Sequence, residues 1–244
     1  MKSLKNWLLV LSVLSCFGCS SPVHEDGRGC AFVSDSIQYR VEFMSEGCVR
    51  ILSFPEGDTL VTKRLVVDSQ KPAFKDYKWK DTGQQLIFST RELSVAFDKE
   101  DAAFTFQEVS TGKLLLKEKE AKKARHFKRS VTGGEQCLEV TQRFVPTDDE
   151  AIYGLGQYQN GIMNYRGKSV LLLQANMDIV NPFLISTNGY GILWDNYSST
   201  KFEDTEEGYS FTSEVGDASD YYFVYGKNMD EVVAGYRELT GDVP

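Results

Sequence analysis

The stretch "IQYRVEFMSEGCVRILSF", residues 37–54, decides the fold class. Ile37, Tyr39, Val41 and Phe43 alternate with Gln38, Arg40 and Glu42, so one side of an extended chain is apolar and the other polar. Ser45, Glu46 and Gly47 interrupt the alternation with turn-forming residues, and "CVRILSF" then starts a second extended run, which predicts a hairpin. The pattern repeats downstream. "QQLIFST" is followed by "LSVAFD" with Leu93, Val95 and Phe97 in alternation, and "AAFTFQEV" carries Phe104 and Phe106. Thr111 and Gly112 turn the chain into "KLLLKE"; "CLEVTQRF", "SVLLLQA", "PFLIST", "YGILWD" and "DYYFVYG" complete a series of more than ten strands. Only "NMDEVVAGYRELTG" has helical period. There Val232, Val233, Tyr236 and Leu239 share a face, Asn228 can cap with Glu231 three residues on, and Gly241 supplies the stop. The expected fold is all-β, a large antiparallel β-sandwich with a short C-terminal α-helix.

A chain of 244 residues suits one such sandwich. Its net charge of -8 argues against a nucleic-acid partner, because holding phosphate backbones requires a basic face. Fifteen Phe, twelve Tyr and three Trp serve mainly as strand core, although aromatic rings also suit the apolar faces of sugars. Cys30, Cys48 and Cys137 are odd in number and lack short spacing, so they form neither a disulfide framework nor a metal motif; one bridge plus a free thiol and three buried thiols both fit. With His24 and His126 the only histidines, a zinc site or a His-dependent triad has no material, and no cofactor or metal is expected.

The first residues stand apart. Lys2 and Lys5 precede "WLLVLSVLSCFGC", an apolar run too short to span a bilayer and fitting a signal-peptide core. Gly18-Cys19 followed by Ser20, Ser21 and Pro22 resembles a bacterial lipoprotein signal, with Cys19 rather than Cys16 as the lipidated residue because a polar linker starts directly after it. The expected organisation is a signal at 1–19, a linker at 20–29, the sandwich at 30–226, and the helix with a linker at 227–244. The expected location is an outer membrane, reached only through the lipid anchor. Labelling with palmitate should be lost in Cys19→Ser and kept in Cys16→Ser.

Three polar segments compete as sites. "KEKEAKKARHFKRS", Lys117 to Ser130, reads as a solvated edge or long loop because acidic residues interleave its first half. "YGLGQYQNGIMNYRG", residues 153–167, lacks both GxGxxG spacing and a following helix, so it is no phosphate cradle. Gly154, Gly156 and Gly161 fit the bends of a loop, and Gln157, Asn164 and Arg166 offer planar donors and acceptors that suit vicinal hydroxyls or the loop's own backbone. In "LLLQANMDIVNPF", Gln174, Asn176 and Asp178 would share one face of a strand or cluster at a loop tip. A lone carboxylate cannot supply both the acid and the nucleophile of glycoside hydrolysis, so no catalytic residue is assigned.

"IYGLGQYQNGIMNYRG", "NPFLISTNGYGILWDN" and "DYYFVYGKNMDEVVAGYRELTGDVP" together resemble, in order and spacing, the N-terminal domain of glycoside hydrolase family 31, most closely its α-xylosidase and α-glucosidase branch. The resemblance covers roughly residues 30 to 244. It implies a galactose-mutarotase-like sandwich preceding a (β/α)₈ barrel, with the nucleophile and acid/base aspartates on that barrel and outside this chain. It also implies that a sandwich loop shapes the substrate pocket, which makes Gln174, Asn176 and Asp178 the substrate-binding candidates, while Gln157, Asn164 and Arg166 shape the loop. The partners implied are an α-linked oligosaccharide containing xylose or glucose and a catalytic barrel. A sandwich made to pack on a barrel should leave Val232, Val233 or nearby aromatics partly uncovered. The alternative is a lipid-anchored carbohydrate-binding module acting alone; a mutarotase-like epimerase is disfavoured by the placement of His24 and His126.

Overall fold

The computed structural model describes residues 22–58, 65–68, 72–120 and 125–241. The signal segment with Cys16 and Cys19, and the first two positions of the 20–29 linker, lie outside the described residues. The strands are β1 His24–Glu25, β2 Cys30–Ser34, β3 Ile37–Phe43, β4 Cys48–Pro55, β5 Lys78–Asp81, β6 Gln85–Ser89, β7 Leu93–Asp98, β8 Ala103–Glu108 and β9 Leu114–Glu118. They continue as β10 Arg125–Thr132, β11 Glu135–Val145, β12 Ile152–Gln157, β13 Ser169–Leu172, β14 Ile179–Ser186, β15 Tyr190–Trp194, β16 Thr200–Thr205, β17 Gly208–Gly216 and β18 Ser219–Tyr225, before helix α1 Met229–Thr240.

Two antiparallel sheets face each other. The first runs β1-β2-β3-β4-β18-β15-β14-β12, and the second runs β13-β16-β17-β11-β9-β8-β7-β6-β5, with β10 paired to β11 beside that path. The hairpin read from residues 37–54 forms, with Ile37 opposite Pro55 and Phe43 opposite Val49. Alternation delivers Leu93, Val95 and Phe97 of β7, and Phe104 and Phe106 of β8, to the space between the sheets. They meet rings from the other sheet: Phe106 stacks on Phe223 with centroids 4.2 Å apart, and Phe97 leans on Tyr39 at 4.8 Å. Aromatic residues therefore make half of the main core cluster, where each buried ring contributes about 1.5–3 kcal/mol.

The first sheet is buried on both faces at its centre. In β4, Val49 and Ile51 point into the sandwich, while Cys48 lies on the outer face in one apolar cluster with Val232 and Leu239 of α1. Next to them Arg50 donates from Nε to Asp220 at 2.7 Å and from Nη1 to Glu42 at 3.1 Å. The helix that covers this face is capped as its sequence requires: Asn228 Oδ1 accepts from Glu231 N at 2.9 Å, and the Gly241 N–H reaches Arg237 O at 2.9 Å. Of the two valines expected to be partly uncovered, Val233 is, at 40% exposed, while Val232 is buried because the apolar outer face of β14, β15 and β18 takes it up.

The charge-dense segment is not simply a solvated edge. Its second half is β10, paired only with β11, but Glu118 and Arg125 are both buried. Glu118 accepts from the Phe104 N–H at 2.9 Å, from Tyr221 Oη at 2.7 Å and from Arg125. Arg125 donates further to Tyr39 Oη at 3.0 Å, Ala102 O at 3.1 Å and Gln142 Oε1 at 3.0 Å. Burial opposes its charge, but Glu118 and the Tyr39 and Tyr221 hydroxyls outweigh that and hold the guanidinium above its ordinary range. Among the described residues the three cysteines are free thiols, Cys30 and Cys48 buried and Cys137 half-buried.

Candidate functional site

The polar segments singled out by sequence surround the crossover from β12 to β14. Gly154, Leu155 and Gly156 have φ of 97°, 66° and 116° and form a bulge within β12 rather than bends of a loop. A Cβ on Gly156 would stand 2.1 Å from the Ile179 carbonyl oxygen, and one on Gly154 would stand 2.4 Å from that of Phe183. Only glycine lets β14 approach so closely. The bulge twists the end of β12 and sets where β14 begins.

From Gln157, which is exposed at the end of β12, the chain descends beside the same strand. Asn164 Oδ1 accepts from Ile152 N and Arg166 N, each at 3.1 Å, and Tyr165 N–H donates to Ile152 O at 2.8 Å. Arg166 donates from Nε to Asp204 Oδ2 at 2.8 Å and from Nη1 to the Thr147 and Glu150 carbonyls at 3.1 and 3.2 Å. Nε and Nη1 of Arg166 are thus turned to Asp204 and to the protein's own backbone. Behind them Glu150 receives the Tyr190 hydroxyl, which lies 3.1 Å from that of Tyr209; burial drives both tyrosines well above their ordinary range, so they stay neutral.

β13 then crosses to the second sheet and back. Between it and β14, Ala175 to Asp178 form a tight turn, with Asp178 N–H to Ala175 O at 3.3 Å and Met177 at φ 71°. Gln174 directly precedes this turn and Asn176 and Asp178 lie in it, and Gln174 Oε1 accepts from Val180 N at 3.0 Å. Gln174 and Asn176 are exposed and Asp178 is half-exposed. Leu173, Met177 and Ile179, exposed by 48%, 66% and 56%, ring the polar groups.

Tyr158 was not singled out by sequence. Its hydroxyl donates to Leu155 O at 3.1 Å, and burial, with Tyr165 and the charge of Asp178 adding to it, pushes it up to about 12. Its sequence signal was the tyrosine one residue beyond a glycine-bulged strand. The arrangement can hydrogen-bond hydroxyls through an amide and a carboxylate, and can offer apolar contacts around them. Asp178 is the only carboxylate of residues 153–179, so the tip supplies no acid and base pair. No group of three metal-ligating side chains occurs among the described residues.

Residues 38–203 match the family model described as the glycosyl hydrolase 31 N-terminal galactose mutarotase-like domain. An α-xylosidase of Saccharolobus solfataricus is 34% identical over 224 residues, which cover 86% of this chain and 29% of that protein. Alpha-glucosidase 2 of Bacillus thermoamyloliquefaciens is 27% identical, with 88% of this chain and 28% of that protein covered. The crystal structure of a GH31 α-xylosidase from Xanthomonas citri superposes with a TM-score of 0.81 at 21% identity, over 91% of this chain and 40% of that one, a likeness of fold. The chain spans less than a third of the length of these curated relatives.

Proposed function

This chain belongs to the family of glycosyl hydrolase 31 N-terminal galactose mutarotase-like domains, and from that premise we propose that it is the non-catalytic, substrate-shaping domain of an exported retaining α-glycosidase acting on xylose- or glucose-containing α-linked oligosaccharides. The catalytic carboxylates belong to a barrel beyond the matched region. Gln174, Asn176 and Asp178 meet sugar hydroxyls at the mouth of that barrel, and Asn164 and Arg166 hold the neighbouring segment in place.

The observation that carries the proposal is the Ala175–Asp178 turn: polar groups at an exposed tip, ringed by Leu173, Met177 and Ile179. Exposed apolar side chains of this size mark a surface made for contact. The same end of the sandwich also exposes Leu65 and Tyr197, which are joined by a 2.8 Å hydrogen bond from Leu65 N to Tyr197 Oη. A lipid anchor on Cys19 is part of the proposal and is supported by the apolar run that precedes it.

The test compares the chain alone with the chain supplied with a family barrel. Alone, it should release no p-nitrophenol from p-nitrophenyl α-xyloside or α-glucoside. With the barrel, Asn176→Ala and Asp178→Ala should raise KM about tenfold, the loss of one or two hydrogen bonds. Turnover by the chain alone would overturn the non-catalytic reading. Calorimetric binding of oligosaccharide to the chain alone, tighter than about 1 mM, would favour a self-sufficient binding module.

A further inference from the structure

The open edges of the two sheets are defended unequally. β1 is two residues long, β5 carries Lys78, Lys80 and Asp81, and β10 carries Arg125, Lys128 and Arg129. β12 is bulged at Gly154 and Gly156, and the segment beside it supplies Asn164 and Tyr165 to both backbone groups of Ile152. Short length, charge, bulges and cover are the devices by which edge strands avoid pairing with other chains. β13, Ser169-Val170-Leu171-Leu172, has no charge, no proline and no bulge.

Its backbone is also available. Asp204 N–H donates to Lys168 O at 2.9 Å, which makes 168 and 204 a bonded pair at the start of the β13–β16 ladder. By the alternation of an antiparallel ladder, Val170 and Leu172 turn their N–H and C=O toward β16, while Ser169 and Leu171 turn theirs to the open side. No described residue takes up those groups. Leu172 is in the core, whereas Leu171 is 52% exposed and continues into Leu173 at 48%.

We propose that β13 pairs antiparallel with β13 of a second copy of this chain, joining the two β13-containing sheets across a local twofold axis. The partner follows from the self-complementarity of the edge. With Leu171 opposite Leu171, Ser169 faces Leu173, so no charges meet and exposed apolar side chains line the join. Identical open N–H and C=O groups on both copies complete the ladder, as an isologous contact requires.

Light scattering coupled to size exclusion of the full chain, over a dilution series, tests this. The wild type should form a dimer that dissociates on dilution. Leu171→Pro removes an N–H that does not serve β16, and Leu171→Lys places like charges face to face; each should weaken the dimer about tenfold or more, with the thermal unfolding transition retained. Asp178→Ala, at the tip, should leave it unchanged. A wild type that stays monomeric, or a dimer that survives both Leu171 substitutions, would overturn the proposal without touching the substrate-shaping role.

Discussion

Glu118 and Arg125 lie within the most charge-dense run of the chain, yet both point inward, where they tie β9 and β10 to Tyr39 and Tyr221 of the opposite sheet. A paired buried charge adds little net stability, but an orphaned one is expensive. Glu118→Gln should therefore lower the unfolding free energy by about 3–5 kcal/mol in urea denaturation, whereas the double variant Glu118→Leu, Arg125→Met should recover most of that loss. A single variant as stable as the wild type would show that the pair is not closed in the folded chain. At this scale the sequence was only partly legible. Leu116 and Glu118 occupy successive positions of one strand face, so the alternation placed Glu118 inside, but composition alone made the run look solvated. Asn164 and Arg166 were visible as planar polar groups; that Arg166 would spend its donors on Asp204 and two carbonyls depended on partners up to 38 residues away.

Among the elements, α1 and the strands with clear apolar alternation, such as β3, β4, β7 and β8, were readable because each depends on local alternation or local capping, whereas short or polar strands such as β1, β5 and β16 carry no such signal and were not read. Nor was β12, since its positive φ values are imposed by β14 and left only glycines as a trace. Gly156→Ala should cost about 1–3 kcal/mol, because the new Cβ must both adopt a left-handed backbone and displace the Ile179 carbonyl 2.1 Å away. Gly161→Ala has open space around its Cβ and bears only the backbone strain at φ 69°, so it should cost less. Thermal melts of the two variants, compared with the wild type, decide the matter. Equal losses would mean that the contact with β14 is not closed. The segment around Ala175–Asp178 was open to two readings, one face of a continuing strand or a loop tip, and the chain forms the turn; the exposed Leu173 and Ile179 beside it could not be foreseen, because they read as ordinary strand residues until their exposure was known.

At the level of the whole molecule, β18 lies between β4 and β15, so residues from the two ends of the chain meet in the middle of one sheet, Val224 opposite Cys48 and Tyr221 opposite Ile51. Such pairing closes only after most of the chain has been ordered, which makes folding slow and cooperative. A chain ending at Gly216, without β18 and α1, should show no cooperative thermal transition by circular dichroism, and a retained transition would indicate that the second sheet folds by itself. The general architecture was legible in the sequence, but the strand order was not, since periodicity reports which face is apolar and nothing about neighbours. The Ala175–Asp178 turn bears on how such a protein can change. Its side chains are tied to the rest of the molecule mainly by Gln174, so replacing Asn176 or Asp178 should shift stability by no more than about 0.5 kcal/mol. The turn can thus be rewritten almost without penalty to the scaffold, leaving it open to diversification while the aromatic interior stays constrained.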